Sequence, residues 1–105
     1  MGQKGIRVRD LEHLKELLHN CPLTIRTAFL FGSRATGDWL EESDWDVVIV
    51  SPEFAGIPFP ERATMLLREL PLRRVELLCY TEEEFDQRAT EIGIVAEAVK
   101  GKRLV

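Results

Sequence analysis

The run Trp45-Asp46-Val47-Val48-Ile49-Val50 constrains this chain more than any other part of its 105 residues. Four consecutive β-branched residues favour an extended backbone, and Ser51-Pro52 stops the run, so it reads as a strand entering the core. Two carboxylates, Asp44 and Asp46, stand at its mouth. Alternation along a strand sends both to one face and Trp45 to the other. Acids held side by side repel each other, and burying them without a cation costs stability or protonates one of them. A magnesium ion resolves that conflict, because it is a hard cation that prefers one or two carboxylates together with phosphate oxygens.

The rest of the chain supplies a body for that strand. Asp10 to Asn20 reads as an amphipathic helix with Leu11, Leu14, Leu17 and Leu18 on one stripe, capped by Asp10 and stopped by Asn20 and Pro22. Thr24 to Phe31 reads as a strand ending at Gly32. A loop or short helix follows to Leu40, then a polar turn at Glu41 to Ser43. Glu53 to Pro60 suits a loop lying against the domain, and Pro60 opens a helix continued by Arg62 to Leu70. Arg74 to Tyr80 is a third strand. Thr81 and Glu84 form a capping box for a last helix. That helix carries Phe85, Ile92, Val95, Ala96 and Val99 to a final turn at Lys100-Gly101-Lys102, with a weak point at Gly93. The order α-β-β-α-β-α implies an α+β fold, a small mixed β-sheet with helices packed on it, forming one domain over residues 1–105.

Several function classes are disfavoured. A net charge of −4 and a pI near 5.2 argue against direct general nucleic-acid binding, which wants a basic face. No apolar run approaches the roughly 18 residues that span a bilayer, and Met1 to Arg9 lacks the apolar segment of a signal peptide. A cytoplasmic protein is expected, with no membrane partner. Cys21 and Cys79 are isolated and read as buried free thiols rather than a zinc ribbon or redox pair. His13 and His19 fall on different faces of one helix, which disfavours a shared metal and any Ser/His/Asp set.

Upstream of the acids, Gly32-Ser33 follows a strand, and so small a pair lets backbone N–H groups approach an anion. Arg34 is then placed to neutralise phosphate charge, and Gly37 adds a second tolerant position. Glu76, inside the third strand, can bring a third carboxylate beside Asp44 and Asp46 if the strands pair. Three acids and two metals about 3.5–4 Å apart form a clamp for in-line displacement at phosphorus. Singly, each feature has a plain structural reading. Gly-Ser can be a turn, Asp-x-Asp a solvated strand end, and Glu76 an edge charge or an ion-pair partner of Arg73 or Arg74. Their joint spacing favours one site.

Gly32-Ser33, ten residues, then Asp44-Trp45-Asp46 resembles the G-S-x10-D-x-D signature of the polymerase-beta-like nucleotidyltransferase superfamily. The likeness runs over about residues 10 to 100 and is strongest in FGSRATGD…ESDWDVVIV, where the chain is similar to the minimal nucleotidyltransferases of bacteria and archaea. The resemblance implies a polymerase-beta palm-like fold and magnesium-dependent transfer of a nucleoside monophosphate from ATP or another nucleoside triphosphate. By that resemblance Asp44, Asp46 and Glu76 are the catalytic and metal-binding acids, with two Mg2+ ions expected, and Gly32, Ser33 and Arg34 hold the nucleotide. Thr36 stands where the family often has Arg, and Glu76 where Asp is usual.

At 105 residues the chain is expected to carry no acceptor-binding domain of its own. The resemblance supplies a partner instead, a helical HEPN-type protein whose tyrosine receives AMP in a toxin–antitoxin pair, so a hetero-oligomer is expected. The apolar loop Phe54 to Phe59 could dock that partner or pack over its own core. Two non-catalytic readings stay open, a binding module that neutralises its partner by contact and a nucleotide sensor without turnover.

Overall fold

The structure, a computed structural model, describes residues 5–36, 44–90, 93 and 101–105, apart from the side chains of Ser33 and Thr36. The β-branched run forms the centre of the fold. It becomes a strand (Trp45–Val50) whose residues are all buried except the half-buried Asp46. Numbering in chain order, β1 is Ile6–Arg7, β2 Thr27–Phe31, β3 Trp45–Val50, β4 Leu72–Arg73, β5 Val75–Tyr80 and β6 Lys102–Arg103. Among the described residues the helices are α1 (Leu11–His19), α2 (Ser33–Thr36), α3 (Phe59–Glu69) and α4 (Glu82–Ala89), with a 3-10 turn at Pro52–Phe54.

The main sheet has the order β5-β3-β2-β6 and is mixed. β2 runs antiparallel to β3 with Phe31 opposite Asp46, and β5 runs parallel to β3 with Asp46 opposite Glu76. A parallel pair cannot be closed by a tight turn, so the chain crosses over through the 3-10 turn, α3 and β4 before entering β5. β4 pairs in parallel with β1 as a separate two-stranded piece.

Alternation along β3 divides the core. Trp45, Val47 and Ile49 join Leu14 and Leu18 of α1 and Leu66 of α3 on one face of the sheet. Val48 and Val50 pack on the other with Phe29 and Tyr80, beneath Phe85 and Ala89 of α4. The Phe29 and Phe85 rings stack there with centroids 5.8 Å apart. Asp46 and Glu76 share this second face.

The helix ends follow their capping chemistry. Asp10 accepts a hydrogen bond from the His13 N–H at 2.8 Å, and Thr81 with Glu84 forms both halves of a capping box. Glu84 also receives two hydrogen bonds from the buried Arg62 guanidinium, at 2.6 and 3.1 Å. Arg62 occupies the same stripe of α3 as Leu66 and Leu70, four and eight positions on, which turns it inward. Its remaining donors reach the carbonyls of Ile57 and Cys79. This clamp ties α3, β5 and α4 together.

Several expectations are corrected. The strand foreseen from Thr24 begins at Thr27, because the Thr24 N–H is taken by the Glu53 carboxylate at 2.6 Å. The last helical turn foreseen at Lys100-Gly101-Lys102 is replaced by a bend at Gly101 and by β6 at Lys102–Arg103. β6 gives β2 a partner, and the Leu104 N–H bonds to the Ala28 carbonyl at 2.7 Å while Leu104 is buried. Cys79 is buried, but Cys21 is only half-buried. In the Phe54 to Phe59 loop, Phe54 is fully buried and Ile57 half-buried, while Phe59 is 44% exposed and leans on Tyr80. The polar turn at Glu41 to Ser43, Gly37, Leu40, and the helical positions Ile92, Val95, Ala96 and Val99 lie outside the described residues. Among the described residues no helix is long and apolar enough to cross a membrane.

Candidate functional site

Gly32, Asp46 and Glu76 meet where β2 ends and where β3 and β5 begin. The parallel register sets Asp46 directly beside Glu76, on the face away from Trp45. Burial, then a hydrogen bond with Glu76, then repulsion from Glu76 and Asp44 raise the Asp46 carboxyl from its ordinary value. The strand pairing therefore holds together two groups that would separate in solution.

Gly32 answers to two constraints at once. Its φ is +76°, in the left-handed region, and a Cβ built on it would fall against Asp46 Oδ2 inside van der Waals contact. The backbone thus passes right over the Asp46 carboxylate. Immediately after it the chain enters α2, where the Ala35 N–H bonds to the Gly32 carbonyl at 3.0 Å. Ser33 is the first residue of that turn.

The remaining two residues singled out from the sequence lie to either side. Asp44 stands just ahead of β3, and its Oδ1 is 3.2 Å from Arg74 Nε, with both side chains more than half exposed. Arg34 sets its guanidinium 4.1 Å from the centroid of the Trp45 ring, a cation–π contact on the opposite face from Asp46. The six positions therefore form a close group of Gly32, Asp46 and Glu76, with Ser33 next to Gly32 at the start of α2, Asp44 beside the group on Arg74, and Arg34 anchored on Trp45.

Arg74 is the residue the sequence reading misplaced. The sequence reading opens the third strand at Arg74 and offers it, or Arg73, to Glu76 only in the plain structural alternative; the structure starts that strand at Val75 and sets Arg74 against Asp44. Arg74 separates β4 from β5 with φ of 56°, and its carbonyl accepts the Trp45 N–H at 2.9 Å. That kink swings its side chain out of the β5 alternation, which is why period-two reasoning could not place it.

The donor set is all carboxylate oxygen, which suits a hard divalent cation and not a thiolate- or imidazole-preferring one. Among the described residues no three His, Cys, Asp or Glu side chains already converge as around a bound ion. The crowding of Asp46 by Glu76 and Asp44 is the electrostatic condition that a cation relieves.

Comparison with known proteins gives a consistent result. Residues 11–103 match the model of a family described as a nucleotidyltransferase domain. Among solved structures, the chain is similar to a candidate nucleotidyltransferase from Sulfolobus solfataricus. The two share 28% identity, with a TM-score of 0.52 over 73% of this chain and 68% of that one. No curated protein gives a significant match.

Proposed function

Because the chain belongs to the nucleotidyltransferase domain family, whose members move a nucleoside monophosphate, we propose that it transfers AMP from ATP to a hydroxyl of a partner protein. The acceptor we favour is a tyrosine of a helical HEPN-type protein, with the pair acting as toxin and antitoxin. The observation that carries the enzymatic reading is the Asp46–Glu76 pairing under Gly32, a costly arrangement unless the charges are used.

In this reading Asp44, Asp46 and Glu76 hold magnesium, with two ions expected. When bound, the metal neutralises triphosphate oxygens and makes the acceptor hydroxyl a better nucleophile. The chain's own residues do the rest. The Gly32-Ser33 backbone, free of a Cβ at Gly32, lies against the triphosphate and orients it. Arg34, held by Trp45, adds positive charge beside that loop. Glu76 takes the proton of the acceptor hydroxyl as its oxygen attacks the α-phosphorus. The bond to the β-phosphate oxygen breaks in line and pyrophosphate departs.

Labelled ATP, magnesium and a HEPN-type partner test the proposal directly. Label should appear on the partner and vanish with Asp44→Ala plus Asp46→Ala. If that double variant neutralises the partner as well as the parent protein does, the chain acts by contact and the proposal fails. Magnesium-dependent ATP binding without any labelling would make it a sensor.

A further inference from the structure

Arg74 lies at the edge of the acid group without being one of the acids. We propose that Arg74 is a positioning residue that holds Asp44 until a divalent cation and a triphosphate arrive together, and so couples the binding of the two. This rests on the nucleotidyltransferase reading of the same site.

Three observations support the proposal. First, Arg74 Nε is 3.2 Å from Asp44 Oδ1, with side-chain exposures of 58% and 56%, so the pair is weak enough to exchange partners. Second, φ of 56° is a conformation that glycine or asparagine adopts at less cost than arginine. The kink itself has a backbone purpose, since the Arg74 carbonyl receives the Trp45 N–H while β4 leaves to join β1. That purpose does not call for a guanidinium, and the guanidinium is what meets the site. Third, the residue whose N–H meets the Arg74 carbonyl is Trp45, which lies between Asp44 and Asp46, so the backbone of Arg74 is tied at 2.9 Å to the segment that carries both acids.

The consequence is a linkage. A divalent cation on Asp44 repels the guanidinium that was paired there. A triphosphate offers that guanidinium a better acceptor, through a fork of two N–H groups on phosphate oxygens. The long arginine stem makes the transfer without moving the backbone. Each ligand thus removes an obstacle to the other, and the coupling is necessarily reciprocal. A cation alone gains less, because it must first displace Arg74 from Asp44.

Titration calorimetry with Mn2+ alone and with α,β-methylene-ATP, which cannot release pyrophosphate, tests this on the full chain. Arg74→Gln should bind Mn2+ alone about threefold to tenfold more tightly than the parent, the scale of a lost exposed ion pair plus one removed positive charge. It should bind the analogue more weakly, and the factor by which the analogue tightens Mn2+ should fall. Direct cation–phosphate bonding is the same in both proteins, so the change in that factor reports Arg74. Arg74→Lys should restore part of the coupling. Arg74→Gly suits the left-handed backbone and serves if the Gln variant folds poorly. Unchanged Mn2+ affinity and unchanged coupling in these variants would overturn the inference while leaving the enzymatic reading intact. If the parent binds neither Mn2+ nor the analogue, both fall.

Discussion

Glu84→Gln removes one charge from the clamp between α3 and α4 while keeping its shape. Glutamine at this position keeps one oxygen to accept from Arg62 and to complete the capping box with Thr81. Its amide NH2 cannot accept the second Arg62 hydrogen bond, so the change removes the charge together with one arm of the fork. In the folded protein the Arg62 guanidinium, through its hydrogen bonds, holds the Glu84 carboxyl down to about 2 from an ordinary value of 4.5. Fully realised, such a shift amounts to about 3 kcal/mol. Glu84 is 38% exposed, however, against 7% for Arg62, and solvent screening reduces the expected loss to about 1–2 kcal/mol. Glu84→Ala should cost more, about 2–4 kcal/mol, because it also opens the capping box and leaves a buried guanidinium short of a partner. The sign of the pH dependence follows from the depressed value. The advantage of the parent over Glu84→Gln is complete above about 4.5, shrinks as pH falls towards 2, and is gone below it. Urea unfolding of both proteins at pH 7, 5 and 3 measures this difference. A gap that is the same at all three values, or absent at pH 7, would refute the assignment of the stabilisation to the ionised pair.

Other consequences are simpler to state. Gly32→Ala should lose about 1–3 kcal/mol by thermal unfolding, from positive φ and from the approach to Asp46 Oδ2, and should lose nucleotide binding with it. Asp46→Asn should unfold at a higher temperature than the parent in the absence of divalent cations, by roughly the 0.5–1 kcal/mol of a relieved charge pair. Added magnesium should raise the melting temperature of the parent and not that of the variant. Cys21 should react with a thiol reagent well before Cys79, since burial pushes the Cys79 thiol up to about 12 and Cys21 is only half-buried. Equal labelling rates under native conditions would contradict the burial of Cys79.

The elements that were legible in the chain are those whose signal is local. β3 coincides with its β-branched run, α1 with its leucine stripe between Asp10 and Asn20, and the start of α4 with the Thr81–Glu84 capping box. What could not be read depends on partners distant in sequence. Lys102–Arg103 has no strand signature of its own and is extended because β2 presents an open edge to it. The β1–β4 pair is two residues long on each side, too short for any period to register. The stripe of α3 turns Arg62 inward, and only the position of Glu84 on the next helix, distant in sequence, satisfies its charge there. The candidate site divides in the same way. Asp44, Asp46, Gly32 and Ser33 stand out by spacing within one segment. That Glu76 lies opposite Asp46 is a matter of register, and that Arg74 meets Asp44 is a matter of one left-handed residue.

Two carboxylate groupings among the described residues make opposite contributions, and their difference bears on which is structural and which is chemical. Glu84 and Arg62 join opposite charges with matched donors and acceptors, so their ionised forms favour the fold. Asp46 and Glu76 join like charges, so the fold itself raises the proton affinity of Asp46 and is strained by its ionisation. Nothing in the packing requires this. An asparagine at position 46 would keep the register with Glu76, satisfy the same hydrogen bond and relieve the repulsion. The strained pair is held at the open ends of β3 and β5, where Gly32 leaves the carboxylate uncovered by any Cβ. The satisfied pair sits under the start of α4, at the other end of β5. A small domain that stabilises one end and strains the other concentrates its unmet electrostatic demand in one place. A cation accompanied by phosphate oxygens is the chemistry that meets that demand.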